Sequence, residues 1–229
     1  MKIYLDSGSL IDILNYSKNK KISGFTTNPS LLNKSKIKNY KEFVSKCLKF
    51  TNSKPISFEV TADDAKKIIY QAKWFLKNAE NSFIKIPIIN SKGKSNLNII
   101  KKLQTLGCKL NITAVFTEKQ IEDIFKIIDK TKQTIISIFA GRIADTGRNP
   151  IKFIKLAINK KKKNKKVMIL WASTREVYNY YEAKKVGCDI ITMDKSFVDK
   201  LSLKNKNLNK YSKETSKQFF VDGKKIKFI

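Results

Sequence analysis

The sequence predicts an α/β protein, a single-domain (β/α)8 (TIM) barrel with an extra C-terminal helix, and three observations predict it. Eight short runs rich in Ile, Val and Phe alternate with helical patterns along the whole chain. Such apolar runs are what strands covered on both faces of a parallel sheet require. No Pro-, Gly- or Ser-rich linker divides the chain, so residues 1–229 read as one domain. At 229 residues, eight βα units favour one closed barrel over an open doubly wound sheet.

Taken in order, the strands are predicted at Ile3–Asp6, Ile22–Thr26, Ile56–Val60, Ser82–Pro87, Lys109–Ala114, Thr134–Phe139, Val167–Ala172 and Asp189–Thr192. Ala65, Ile68, Ile69, Ala72, Phe75, Leu76 and Ala79 recur at helical spacing behind a start signal at Thr61–Asp64. Leu97, Ile100, Leu103 and Leu106 repeat the pattern before Gly107, a helix stop. Thr117 with Gln120 reads as a capping box opening the helix after the fifth strand. From about residue 195 onward the chain reads as a C-terminal helical tail, ending in the short apolar Ile226-Lys227-Phe228-Ile229.

Composition narrows the chemistry. Histidine is absent, which excludes Ser-His-Asp and Cys-His triads, His-ligated zinc and imidazole acid–base catalysis. Cys47, Cys108 and Cys188 lie far apart with no CxxC pair and read as reduced, buried thiols. No metal site is expected. The first residues lack a continuous apolar stretch and carry Asp6 early, and no run approaches a membrane span, so a cytoplasmic protein without membrane contact is expected. The net charge of +29 invites a nucleic-acid reading, yet only three of 48 basic residues are arginine: Arg142, Arg148 and Arg175. Lysines are spread along the whole chain, with one dense run at Lys160–Lys166, and Asn and Ile are abundant. That bias fits an AT-rich genome better than a dedicated groove, whose phosphate and guanine contacts favour arginine. No specific nucleic-acid partner is expected.

In a barrel, function sits at the C-terminal ends of the strands. Those ends carry Asp6; Thr26, Thr27 and Asn28; Glu59; Lys85; Asn111 and Thr113; Ser137, Phe139 and Arg142; Ser173 and Arg175. Lys85 interrupts Phe83-Ile84-Lys85-Ile86-Pro87-Ile88 and has two readings. It can snorkel its charge to solvent. Alternatively, a desolvated interior favours the neutral amine, which attacks a ketone and forms an iminium, the electron sink for cleaving the adjacent carbon–carbon bond. Asp6 and Glu59 are either helix caps or the acid–base pair that imine chemistry needs. Thr113 is placed to hold the water exchanged in those steps, and is equally compatible with capping. Arg142 and Arg175 stand out because the chain writes nearly every other cation as Lys, and Arg gives phosphate a bidentate fork. A structural ion pair is the alternative for either. Arg148 reads as a loop cap.

These segments resemble the small transaldolases and their fructose-6-phosphate aldolase relatives over essentially the whole chain. The resemblance is carried by Leu5-Asp6-Ser7, Gly24-Phe25-Thr26-Thr27-Asn28-Pro29-Ser30, Ser57-Phe58-Glu59-Val60 and Ile84-Lys85-Ile86-Pro87. Asn111-Ile112-Thr113, Ser137-Ile138-Phe139-Ala140-Gly141-Arg142-Ile143 and Ala172-Ser173-Thr174-Arg175 continue it. It implies Lys85 as the Schiff-base lysine and Asp6 as the acid/base at the substrate hydroxyl. Glu59 and Thr113 would activate the water. Asn28 would bind the dihydroxyacetone unit, with Thr26, Asn111, Ser137 and Phe139 lining the pocket. Arg142, Ser173 and Arg175 would grip the phosphate of a sugar-phosphate substrate. The implied reaction moves a three-carbon unit from sedoheptulose 7-phosphate or fructose 6-phosphate to an aldose phosphate, with no cofactor. The resemblance further implies a homo-oligomer, in small members a decamer built through C-terminal helices.

Glu59, where the aldolases tend to carry Gln, and Phe139, where they tend to carry Tyr, match transfer over simple cleavage. Ser7 replaces a usual Thr, and Ile138 and Ala140 replace a common Pro and Val. Ile89 stands where Thr is common, which implies weaker substrate binding or an altered donor preference. The alternatives are a fructose-6-phosphate-type aldolase, a relative acting on another sugar, and a basic barrel that has lost turnover and binds a polyanion or a partner protein.

Overall fold

The computed structural model describes residues 1–227, and Phe228 and Ile229, the end of the expected apolar tail, lie outside the described residues. The strands are β1 (Lys2–Asp6), β2 (Ile22–Thr26), β3 (Ile56–Glu59), β4 (Phe83–Pro87), β5 (Leu110–Val115), β6 (Thr134–Ile138), β7 (Val167–Trp171) and β8 (Ile190–Met193). All neighbours are parallel, and β1 pairs with both β2 and β8, so the sheet closes into a (β/α)8 barrel. Each predicted strand is present, displaced by at most one residue at either end.

Following the register around the ring sorts the inward side chains into layers, each fed by alternate strands. The uppermost holds Asp6, Glu59 and Thr113 from β1, β3 and β5, with Ala172 just beyond the end of β7. Beneath it lie Thr26, Lys85, Ser137 and Thr192 from the even strands, then Tyr4, Ser57, Asn111 and Leu170. The lowest is Gly24, Phe83, Ile135 and Ile190. Apolar members of the lower layers form their own cluster inside the barrel, so its lower half is filled. Gly24 makes room for this, because a Cβ there would sit 2.6 Å from the Tyr4 ring.

The outer faces of the strands pack on the helices in a second, larger core. Helix α1 (Leu10–Ser17) follows β1, α2 (Pro29–Lys34) and α3 (Tyr40–Phe50) follow β2, and α4 (Ala65–Asn78) follows β3. The α4 periodicity places Ile68, Ala72 and Phe75 inward, where Phe75 stacks on Phe58 of β3 with ring centroids 5.9 Å apart. Helix α5 (Leu97–Thr105) follows β4 and stops at Gly107, whose φ of +90° suits a residue without Cβ. Helix α6 (Glu118–Ile127) opens with the capping box read from sequence: the Thr117 hydroxyl accepts from the Gln120 N–H, and the Gln120 amide oxygen accepts from the Thr117 N–H. Such a cap contributes about 1 kcal/mol. Helices α7 (Ala140–Ala144) and α8 (Ile151–Lys161) follow β6, and α9 (Tyr178–Val186) follows β7.

The helical tail is two elements of different kinds. Helix α10 (Lys195–Lys200), capped by Asp194, is the barrel's eighth helix, continued by a 3-10 turn at Leu201–Leu203. Asn205, at φ +61°, then breaks the path, and Asn207 caps α11 (Leu208–Gly223). No residue of α11 is buried, and Leu208, Tyr211, Phe219 and Phe220 are exposed along it. The extra helix is therefore α11 alone, because a left-handed residue and a new cap separate it from α10. All three cysteines are free and buried. Among the described residues no helix is long and apolar enough to cross a membrane.

Candidate active site

The upper two layers and the loops above them enclose a cavity of about 560 Å³. Lys85 enters from the middle of β4. Its side chain is only 8% exposed, and Nζ lies 3.0 Å from Glu59 Oε2 and donates to the Thr27 carbonyl at 2.9 Å. It does not snorkel to solvent. An ammonium is costly to bury without a partner, and β3 supplies a carboxylate at the register position directly opposite, Glu59↔Lys85.

Asp6 does not cap a helix; that role falls to Ser9, which accepts from the Asp12 N–H. Its Oδ1 accepts instead from the Thr26 hydroxyl at 2.7 Å, and its Oδ2 faces the Asn28 amide nitrogen at 3.4 Å. Burial pushes the Asp6 carboxyl up from the usual carboxylate range. Lys85 and the Thr26 hydrogen bond oppose that shift, and Glu59 and Asp194 add to it. The orientation of Asn28 is fixed by its second task. Its Oδ1 caps α2 by accepting from the Leu31 N–H, which leaves Nδ2 to face the site.

Thr113 is no cap either. Its hydroxyl is buried at the cavity wall, and among the described residues it has no hydrogen-bond partner. Buried polar groups are nearly always satisfied, so this hydroxyl is available to whatever enters the cavity. Ser137 also lines the cavity and donates to Asn111 Oδ1 at 2.6 Å, while Asn111 Nδ2 donates to Ser57 at 3.0 Å. Asn111 itself, fully buried, sits one layer below and does not line the cavity. The structure brings every other site residue read from the sequence into one mouth, while Asn111 supports its floor.

The late loops close the far side. Ser173 holds a φ of +64°, and its carbonyl oxygen would lie 1.6 Å from a Cβ placed on Gly141. Only glycine permits that approach, which presses the β6 and β7 loops together and brings Arg142 and Arg175 to the same wall. Arg142 lies over the Phe139 ring, 5.6 Å from its centroid, and Phe139 packs against Phe116. Arg175 is held by Asp145, with Nε at 2.9 Å from Oδ1 and Nη2 at 2.5 Å from Oδ2. That fork holds the Asp145 carboxyl below its usual range and raises the guanidinium. Arg148 bonds the Thr146 hydroxyl beside it. Ile89 is 39% exposed in an antiparallel bridge with Ser95 and does not line the cavity. The sequence reading missed Thr192, Asp194 and Thr174 on the cavity wall, and Asp145 behind it. Thr192 reads as an ordinary β-branched strand residue, and Asp145 as a helix-surface acid.

Comparisons with known proteins identify the family and the fold. The family model for transaldolase/fructose-6-phosphate aldolase matches residues 3–227. The "probable transaldolase" of Nitrosopumilus maritimus is 30% identical over 205 residues, covering 88% of this chain and 87% of that protein. The one from Lactiplantibacillus plantarum is 32% identical over 202 residues, covering 88% of each chain. Among solved structures, a mandelate oxidase variant is similar with a TM-score of 0.57 at 7% identity, covering 84% of this chain and 64% of that one, a likeness of fold alone. By the near-complete family match and these relatives, the chain belongs to the transaldolase/fructose-6-phosphate aldolase family.

Proposed function

We propose that this chain is a transaldolase that moves a dihydroxyacetone unit from fructose 6-phosphate or sedoheptulose 7-phosphate to an aldose phosphate through a Schiff base on Lys85. The observation that carries the reading is the enclosed Lys85 amine, paired with Glu59 and facing the same cavity as Asp6 and Thr113. Handing a proton from Nζ to Glu59 across 3.0 Å yields a neutral amine beside a neutral acid. The amine adds to the ketone carbon, and the carbinolamine hydroxyl leaves as water with the proton from Glu59. Thr113, without a protein partner, holds that water. In the iminium, Asp6 removes the proton of the hydroxyl beyond the bond to be broken. The bond pair flows into the iminium, an aldehyde departs, and an enamine remains on Lys85. Addition to an acceptor aldehyde reverses the step, and water hydrolyses the new iminium. The scheme requires neither metal nor organic cofactor.

A raised Asp6 suits this role, since a buried carboxyl that holds a proton more readily is a better acceptor for an alcohol proton. Arg142, Ser173 and Arg175 would hold the phosphate at the open end, with Thr26, Asn28, Ser137 and Phe139 lining the sugar. Asn111 would act by bracing Ser137. Glu59 and Phe139 favour transfer over simple cleavage. We also propose a cytoplasmic homo-oligomer, in which α11 buries its exposed Phe219 and Phe220 against another copy, and no specific nucleic-acid partner.

The test is glyceraldehyde 3-phosphate release from fructose 6-phosphate, with and without erythrose 4-phosphate. Sustained release only with the acceptor, lost in Lys85→Ala, is the expected result. Sustained release without acceptor would make the protein an aldolase. No release and no borohydride-trapped ketose adduct on Lys85 would sink the imine reading.

A further inference from the structure

We infer that Thr192 is a positioning residue for Asp6, acting through Thr26 at the far end of a hydroxyl chain that reverses direction when Asp6 gains or loses a proton. The inference deepens the transaldolase reading and rests on it. Thr26 and Thr192 occupy adjacent positions in the same barrel layer, brought together because β1, between their strands, is in register with both. Their hydroxyl oxygens are 2.6 Å apart, and either can be the donor. Both residues are buried, at 2% and 7% exposure.

Each hydroxyl carries a single proton, and that fixes the order of donation. An ionised Asp6 can only accept. Thr26 then gives its proton to Asp6 Oδ1 at 2.7 Å, and Thr192 must give its own to Thr26. When Asp6 is protonated on Oδ1, the oxygen left for the proton because Oδ2 faces the Asn28 amide donor, the order runs the other way. Asp6 donates to Thr26, Thr26 to Thr192, and Thr192 to the Tyr4 carbonyl oxygen at 3.4 Å. Both orders use the same heavy atoms, so Asp6 can take up the substrate proton without leaving a buried hydroxyl unpartnered. The last link, at 3.4 Å, is long for a hydroxyl donor, so the outward order is the less well satisfied one. Thr192 is anchored in turn, because its carbonyl accepts from the Thr174 hydroxyl at 2.6 Å.

With Val at position 192, the ionised order keeps its essential link from Thr26 to Asp6. The protonated order instead leaves the Thr26 proton with no acceptor, the costlier kind of loss. Proton uptake by Asp6 becomes harder, and with it the cleavage step. Lys85, Glu59 and Asp194 also bear on Asp6, and the substitution leaves all three in place.

The experiment compares wild type, Thr192→Val and Thr192→Ser with fructose 6-phosphate and erythrose 4-phosphate. Thr192→Val is expected to lower kcat roughly tenfold, the scale of one buried unsatisfied hydroxyl, with KM little changed. Its acidic limb should move to lower pH, and Thr192→Ser should restore both. Borohydride trapping on Lys85 should persist in all three, which shows that the barrel is folded. An infrared titration of the Asp6 carboxylate, assigned with Asp6→Asn, reads the chain independently of turnover. An unchanged Asp6 titration in Thr192→Val, an unchanged kcat, or a Ser variant as impaired as Val would overturn the inference. Absent trapping in wild type with a shifted Asp6 titration would overturn the imine reading and leave the chain itself standing.

Discussion

Asp6 shows how a single buried side chain can cost stability. In the unfolded chain it ionises near the ordinary aspartate value of about 3.9. In the folded barrel burial holds its proton to higher pH. Above the raised value the folded state carries an ionised carboxylate that burial disfavours, and the penalty is full there. Below about 3.9 both states are protonated and the penalty is gone. Asp6→Asn is therefore expected to raise Tm at pH 7, by roughly 2–4 °C per kcal/mol released. The gain should shrink as the pH falls through the window between the raised folded value and the ordinary one. Calorimetry against pH checks this, and an Asn variant no more stable than wild type at pH 7 would contradict it. At this scale the sequence was informative wherever a polar residue broke an apolar run, as Lys85 and Glu59 do. It was silent on Thr192, whose β-branched side chain suits any strand, and on Asp145, whose pairing with Arg175 spans 30 residues of sequence. Ile89 drew attention by its position in a motif, yet its bridge to Ser95 keeps it off the cavity wall.

Among the elements, the β6 and β7 loops bear the tightest constraint. The Ser173 carbonyl occupies the space any Cβ on Gly141 would need, so the loops cannot meet unless residue 141 is glycine. Gly141→Ala must force them apart. Overpacking of this kind costs about 1–3 kcal/mol or more. The substitution should lower Tm by several degrees and raise KM for phosphorylated sugars, because Arg142 and Arg175 separate. An Ala variant with wild-type Tm and KM would show that the loops yield freely. Strand positions were legible because each is a compact Ile-rich run between helical patterns. The division of the tail was not. Lys204 to Asn207 look like more of the same lysine- and asparagine-rich helix, and only the left-handed turn at Asn205 separates the eighth barrel helix from α11.

For the whole molecule, the barrel could be read from the order of its segments, but the layering could not, because it depends on strand stagger that no single segment encodes. The same applies to α11, whose exposed aromatic residues are proposed to pack against a second copy. Phe219→Ser combined with Phe220→Ser should reduce the assembly mass by light scattering, while trapping on Lys85 persists in the smaller species. An unchanged mass would place the interface elsewhere. The layering also has a bearing on redesign. Three of the four positions in the uppermost ring carry a reactive or polar group, and the fourth is Ala172, on the cavity wall at 5% exposure. Lys85 stands in the layer beneath, on a different strand. A new functional group can therefore be grafted at Ala172, facing the cavity, while the strand that holds Lys85 is left as it is. The fold thus offers an unused socket, through which the scaffold could be steered toward other carbonyl chemistry one substitution at a time.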